Sequence, residues 1–460
     1  MSATQSTLTL DRSAAGTSAA APVLSSARIQ RLNRLLELAW ERGWSQRPDL
    51  DPDKILRAGA IGLNIKGFPD YSEWTGRLWS LTSAIGEEAR LNPLGQTIAY
   101  GQLVRMVRQR MRLEILWKHH PEILELPVPP PIIVLGHMRA GTTRMQRMMA
   151  SDDRFSATRF CDSWHPVPPR WLDWRPAKAW AILKAISLLN PQFSSIHPTS
   201  ATAVDEEIGW LGLGFSSTPF DAQWHIPSFV AANNRKDAAP TYRLLKQLIQ
   251  THQWHEKGQP RPRVLKVPQF MEDIDALLSV FPEARIVHVT RDPREVVGST
   301  CSLVANQRLI QSDDVDMAEL GLEWLTRTAL RERVAKKRLS KHKYPVVEVG
   351  YDQMDRDWRS SMREVYRSLG LGVTEKILNG MKRRHGNHRA GSDPHCYRLE
   401  DFGLNAGIVS RAFQHVGGKT DLLSVNSSPS SKKTAPLLRG CSHNIMIYMN
   451  YPTISSGLKK

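Results

Sequence analysis

A chain of 460 residues can bury a full-sized core, enough for one large domain with attachments or for two domains. Lys plus Arg number 62 against 45 Asp plus Glu, a formal charge of +17, which suits a polyanionic partner and equally a basic, soluble surface. Four cysteines, Cys161, Cys301, Cys396 and Cys441, form no C-x-x-C pair, which argues against a zinc framework or disulfide scaffold and fits a reducing cytoplasm.

Residues 1–26, "MSATQSTLTLDRSAAGTSAAAPVLSS", have the composition of a disordered arm, without the apolar stretch of a signal peptide. From Ile29, apolar residues recur at helical spacing (Ile29, Leu32, Leu35, Leu36, Ala39), and again at Val104, Val107, Met111 and Ile115, so 27–128 reads as a helical N-terminal region. "ELPVPPP" then breaks the helix pattern and leads into the apolar run of "PIIVLGHMRAGTTRM" (131–145). Three further strands are expected at "RVLKV" (263–267), "ARIVHVT" (284–290) and "YPVVEVG" (344–350), separated by helical patterns. Short apolar strands alternating with helices predict an α/β domain over 129–415, a P-loop-like parallel sheet flanked by helices. Residues 416–460 are Ser, Lys and Pro rich and read as a poorly ordered tail. No segment approaches the roughly 20 apolar residues that span a bilayer.

The stretch 131–145 has the glycine spacing of a phosphate-binding loop, Gly136 and Gly141, but Thr142 stands where a nucleotide triphosphatase carries lysine. A strand, a glycine-bounded turn and a helix direct backbone N–H groups and the positive end of a helix dipole at one anion. Arg139, Thr142 and Thr143 can add side-chain donors, while Met145, Met148 and Met149 face the core. An ordinary tight turn would use the same glycines. In "VHVTRDPREVVGS", Asp292, Pro293 and Glu295 read as a helix cap, a first-turn proline and a capping-box glutamate. Arg291 then lies at the strand's carboxyl end, and Ser299 about two turns along the helix, forming a second anion site separate from the first.

Together these residues resemble the sulfotransferases that use 3′-phosphoadenosine 5′-phosphosulfate (PAPS), in particular a bacterial-type branch with Arg in the phosphosulfate loop. The resemblance rests on Arg139, Ala140, Gly141, Thr142 and Thr143 for the 5′-phosphosulfate, and on Arg291 and Ser299 for the 3′-phosphate. It extends to "LNPLGQ" (91–96), "HPEI" (120–123), the block 264–304 and "YRLEDFGL" (397–404), covering roughly 30–415. It implies metal-independent, in-line transfer of a sulfuryl group to an acceptor hydroxyl or amine, with Arg139 and Lys266, in "LKVP", as the cations that stabilise it.

A general base must take the acceptor's proton. Many family members place a histidine where Pro268 stands; the Arg-loop branch places a glutamate where alignment through "PVPP" puts Asp162, so Asp162 is the expected base, with His165, His197, Glu206 and Glu207 as competitors. If none serves, the chain is a non-catalytic nucleotide-binding protein of the same fold; a P-loop kinase is disfavoured by Thr142. Seven tryptophans between Phe160 and His255 lie where a pocket for an aromatic or lipid-like acceptor would form. Within them, "RWLDWRPAKAWAILKAISLL" suits an interfacial helix or, more simply, core packing. His385, His388 and His395 lack the carboxylate or cysteine partners of a metal site, and no nucleic-acid reading motif is present.

Overall fold

The structure is a computed structural model in which residues 23–64, 73–169, 171–189, 199–216, 218–386 and 397–414 are described. Most of the expected arm and all of the expected tail lie outside these residues, as do His197, His388 and His395. The N-terminal region is helical as expected: α1 (Val23–Glu41), α2 (Pro52–Ala60), α3 (Glu73–Glu88) and α4 (Pro93–His119). α1 begins inside the stretch assigned to the arm. α4 starts at Pro93 behind the Asn92 cap, whose side chain accepts the Gly95 N–H at 2.8 Å.

All four expected strands form. β1 (Ile132–Leu135), β2 (Val264–Leu265), β3 (Arg285–Thr290) and β4 (Val346–Gly350) make one parallel sheet in the order β2-β1-β3-β4. β1 is buried along its whole length, the continuous apolar pattern of a strand covered on both faces. On one side, Ile132 and Val134 pack with Met145, Met148 and Met149 of α5 (Thr142–Met149). On the other, Ile133 and Leu265 join the main core with α4 and α8 (Ala239–Glu256). Two further segments matter for the site: α6 (Phe160–Trp164) and α7 (Arg175–Leu189). β3 leads into α9 (Pro293–Gln311).

α9 begins behind Asp292, whose carboxylate accepts the Arg294 N–H at 2.8 Å, with Pro293 in the first turn, as expected. Glu295 does not complete a capping box: its carboxylate accepts from Arg291 Nε at 2.6 Å. A charge-assisted bond to a guanidinium outcompetes the Asp292 backbone N–H that a capping-box glutamate would take.

Candidate functional site

Every strand delivers one group to the carboxyl edge of the sheet, where open α/β sheets bind ligands. β1 leads into the loop 136–141, β2 into Lys266, β3 into Arg291, and β4 into Tyr351. The loop turns at Gly141, which has a left-handed φ of +92° and caps α5. A side chain there would place its Cβ 2.7 Å from the Tyr351 ring, so glycine is required by both backbone and space.

Arg139, also left-handed at φ +68°, reaches across to α9, where its Nε donates to Ser299 Oγ at 3.0 Å. The Arg139 carbonyl in turn accepts from Arg291 Nη1 at 2.9 Å, and the Arg291 guanidinium lies over the Tyr351 ring at 4.3 Å. The two anion sites expected to be separate therefore meet: β1 and β3 are sheet neighbours, which brings loops 150 residues apart in sequence side by side. Burial, and after it the nearby Arg291 charge, pushes the Arg139 pKa down. Two guanidiniums drawn together in this way favour an anion between them. Tyr397 of the "YRLEDFGL" block closes this side, its hydroxyl donating to the Glu295 carbonyl at 2.9 Å.

On the other side of the loop, the buried Lys266 Nζ donates to Thr143 Oγ1 at 3.0 Å and pairs with Glu206 Oε1 at 2.8 Å. Thr143 thus serves the lysine, while the cap position of α5 belongs to Gly141. The Lys266 backbone N–H donates to Glu207 Oε2 at 2.8 Å. Burial pushes the Glu207 carboxyl up to about 7. The segment carrying these two glutamates is fastened to α5, with Arg147 Nε donating to the Val204 carbonyl at 2.9 Å and Gln146 Nε2 to the Asp205 carbonyl at 3.1 Å.

Asp162, the base expected from alignment, has a different setting. It is fully buried in α6, and its two oxygens are held by Arg159 at 2.6 and 2.9 Å, Arg175 at 3.2 Å and His252 at 3.4 Å. Burial alone would raise its pKa, but the bonds from His252 and Arg159 win and hold it well below the usual carboxylate range. A carboxylate so strongly stabilised accepts a proton poorly, and its setting is that of an ion-pair partner to Arg159 and Arg175. His165 is similarly unsuited: burial and the charge of Arg105 push it down to about 3. Among the described residues no group of His, Cys, Asp or Glu could hold a metal ion.

The family model for the sulfotransferase family matches residues 130–375, more than half of the chain. The chain belongs to the sulfotransferase family. Among curated proteins this sulfotransferase is similar to omega-hydroxy-beta-dihydromenaquinone-9 sulfotransferase Stf3 of Mycobacterium bovis, 24% identical over 278 residues, which are 56% of this chain and 67% of that relative. Its fold is that of the sulfotransferase STF9 of Mycobacterium avium, with a TM-score of 0.72 and 21% identity over 81% of this chain and 97% of that one. The sulfotransferase STF1 of Mycobacterium tuberculosis matches likewise, with a TM-score of 0.70 and 21% identity over 80% of this chain and 99% of that one.

Sequence reasoning about this sulfotransferase did not place Tyr351 beside the loop, and it named Glu206 as a competitor of Asp162 without its pairing to Lys266. Tyr351 carries a readable signal, because it is the first residue past the carboxyl end of a parallel strand. Glu206 carries none that singles it out: its partner Lys266 is 60 residues away, joined only by the fold.

Proposed function

We propose that this sulfotransferase moves a sulfuryl group from PAPS to a hydroxyl of a lipid-like or aromatic small molecule, with Glu206 as the general base. The observation that carries the reading is the pairing of Lys266 with both Thr143 and Glu206 at one edge of a loop whose other edge holds Arg139, Arg291 and Ser299. The loop has cations on two sides, as a nucleotide with phosphate groups at both ends of its ribose requires. The residues fit the donor: Arg291 and Ser299 suit the 3′-phosphate, and Ala140, Gly141, Thr142 and Thr143 offer the N-terminus of α5 to the 5′ end. The donor supplies an activated sulfuryl group attached to a phosphate leaving group.

Lys266 is placed to neutralise negative charge that builds on the leaving oxygen. The contact from Arg139 to Ser299 supports a role for that arginine on the 3′-phosphate side, which leaves Lys266 as the main cation at the reacting end. Glu206 accepts the proton that the acceptor hydroxyl loses as its oxygen bonds to sulfur. The lipid-like acceptor rests on the likeness to Stf3, whose name gives a hydroxylated menaquinone, a quinone lipid. Buried, unpaired Cys161 and Cys301 are in keeping with action in a reducing cytoplasm.

Calorimetry with adenosine 3′,5′-bisphosphate, followed by transfer from radiolabelled PAPS to a panel that includes hydroxylated quinone lipids, tests the proposal. Binding of the nucleotide with labelled product is expected. No binding would overturn the donor reading, and binding without transfer to any acceptor would favour the non-catalytic alternative.

A further inference from the structure

We propose that the outward face of α7, together with the adjoining end of α1, docks on an anionic lipid surface. The helix carries apolar residues on both sides, yet among the described residues only one side of it is covered. Ala179 and Ile186 are buried, and Ile182 and Leu183 pack with Ile29, Leu32 and Leu36 of α1. A quarter-turn or more away, Ala177, Trp180, Ala181 and Leu188 form a second stripe at helical spacing, with Trp174 just ahead of the helix. Core packing, the simpler sequence expectation for this segment, therefore describes half of it.

Exposure along this stripe and the segment leading into it is large: Trp171 is 97% exposed, Trp174 60%, Trp180 59% and Leu188 75%. A soluble surface tolerates single exposed apolar residues, whereas large side chains gathered on one short segment mark an interaction site. Charge decides the occupant. Lys178 and Lys184 are exposed on the same helix, with Lys184 lying over the Trp180 ring at 5.8 Å. The only acidic residue from Trp171 to Leu189 is Asp173, and Arg175 takes both its oxygens at 2.8 and 2.9 Å. α1 meets this end of the helix, with Arg28 Nη1 donating to the Leu188 carbonyl at 3.4 Å, and its exposed Arg31 and Arg34 extend the basic area. Tryptophan and lysine around an apolar stripe suit the boundary between headgroups and acyl chains, with the lysine ammonium groups meeting lipid phosphates. A protein partner would also need acidic side chains facing every lysine and arginine here; an anionic bilayer supplies that charge everywhere.

The docking helix is tied to the reacting groups. Its first-turn Arg175 pairs with Asp162 of α6, Ser163 of α6 donates from Oγ to the Glu206 carbonyl at 2.7 Å, and Glu206 holds Lys266. A surface bound at α7 lies a few contacts from the base.

Co-sedimentation of the full chain with vesicles tests the proposal without donor or acceptor, so its outcome is independent of the acceptor's identity. With phosphatidylcholine vesicles containing roughly one-third phosphatidylglycerol, the chain should sediment, and should be released by high salt. Pure phosphatidylcholine should retain less. The double variant Trp174→Ser with Trp180→Ser should partition at least about tenfold more weakly, while still binding adenosine 3′,5′-bisphosphate, which shows that it is folded. A Lys178→Glu, Lys184→Glu variant should lose the preference for anionic vesicles. The idea is overturned if the chain stays in the supernatant, if the tryptophan variant sediments unchanged, or if that variant alters only self-association measured by light scattering, which would make the face a contact between copies.

Discussion

Glu207→Gln isolates the burial of a carboxyl group beside the reacting lysine. Burial raises the Glu207 carboxyl from 4.5 to about 7. The folded protein therefore holds this proton over a range in which the unfolded chain has lost it, and stability falls as pH rises from about 4.5 through about 7. At about 1.4 kcal/mol for each pH unit, ionised Glu207 costs the fold about 3 kcal/mol above pH 7. Glutamine removes that penalty and can still accept the Lys266 N–H, the bond that Glu207 Oε2 makes at 2.8 Å. At roughly 2 °C per kcal/mol for a large domain, and with about 2.5 kcal/mol of the cost falling between pH 5 and pH 8, the wild type should lose about 5 °C in Tm over that range on this account alone. Differential scanning fluorimetry of both proteins across that range subtracts every other titrating group. Glu207→Gln should show the flatter profile and melt higher at pH 8. Identical pH profiles in the two proteins would refute the reasoning, since they would mean that Glu207 is ionised in the fold at no cost.

The remaining expectations concern the site directly. Glu206→Gln should lower kcat by about 10²- to 10⁴-fold with nucleotide affinity retained, read by labelled transfer and calorimetry. Asp162→Asn should instead lower stability by about 1–3 kcal/mol, because it weakens the charge-assisted bonds to Arg159 and Arg175 while Arg175 keeps Asp173; urea unfolding measures this. Arg291→Ala should weaken adenosine 3′,5′-bisphosphate by roughly 10- to 100-fold through loss of a charge-assisted contact, with kcat at saturating donor little changed. Gly141→Ala should abolish nucleotide binding, since its Cβ would lie 2.7 Å from the Tyr351 ring and its φ is +92°.

Much of the fold was legible because its strands are short apolar runs with helix signals between them. "PIIVL" and "ARIVHVT" appear within a residue of where they were expected. β2 is shorter than the run "RVLKV" suggests: its ladder stops at Leu265, and the next N–H, on Lys266, turns to the carboxylate of Glu207. The loop glycines and the Asp292 cap were legible because local backbone geometry demands particular residues. What escaped the sequence depends on long-range pairing. The Arg139 to Ser299 contact joins residues 160 apart, and no local pattern says that two anion sites should share a wall. Which cation each of Asp162 and Glu206 receives is likewise a matter of three-dimensional neighbours. For α7 the composition left an interfacial helix and core packing both open, since which of its sides is covered depends on its neighbours in the fold.

The left-handed backbone of Arg139 sets the stability of this loop against its side-chain contacts. An arginine at φ +68° is strained by roughly 1 kcal/mol or more relative to glycine, which adopts that conformation freely. Arg139→Gly should therefore give a protein that melts higher and binds the nucleotide worse. The wild-type loop is less stable than its own backbone would allow, and the difference measures how much folding stability is given up to hold one guanidinium against Ser299 and the Arg291 side of the site.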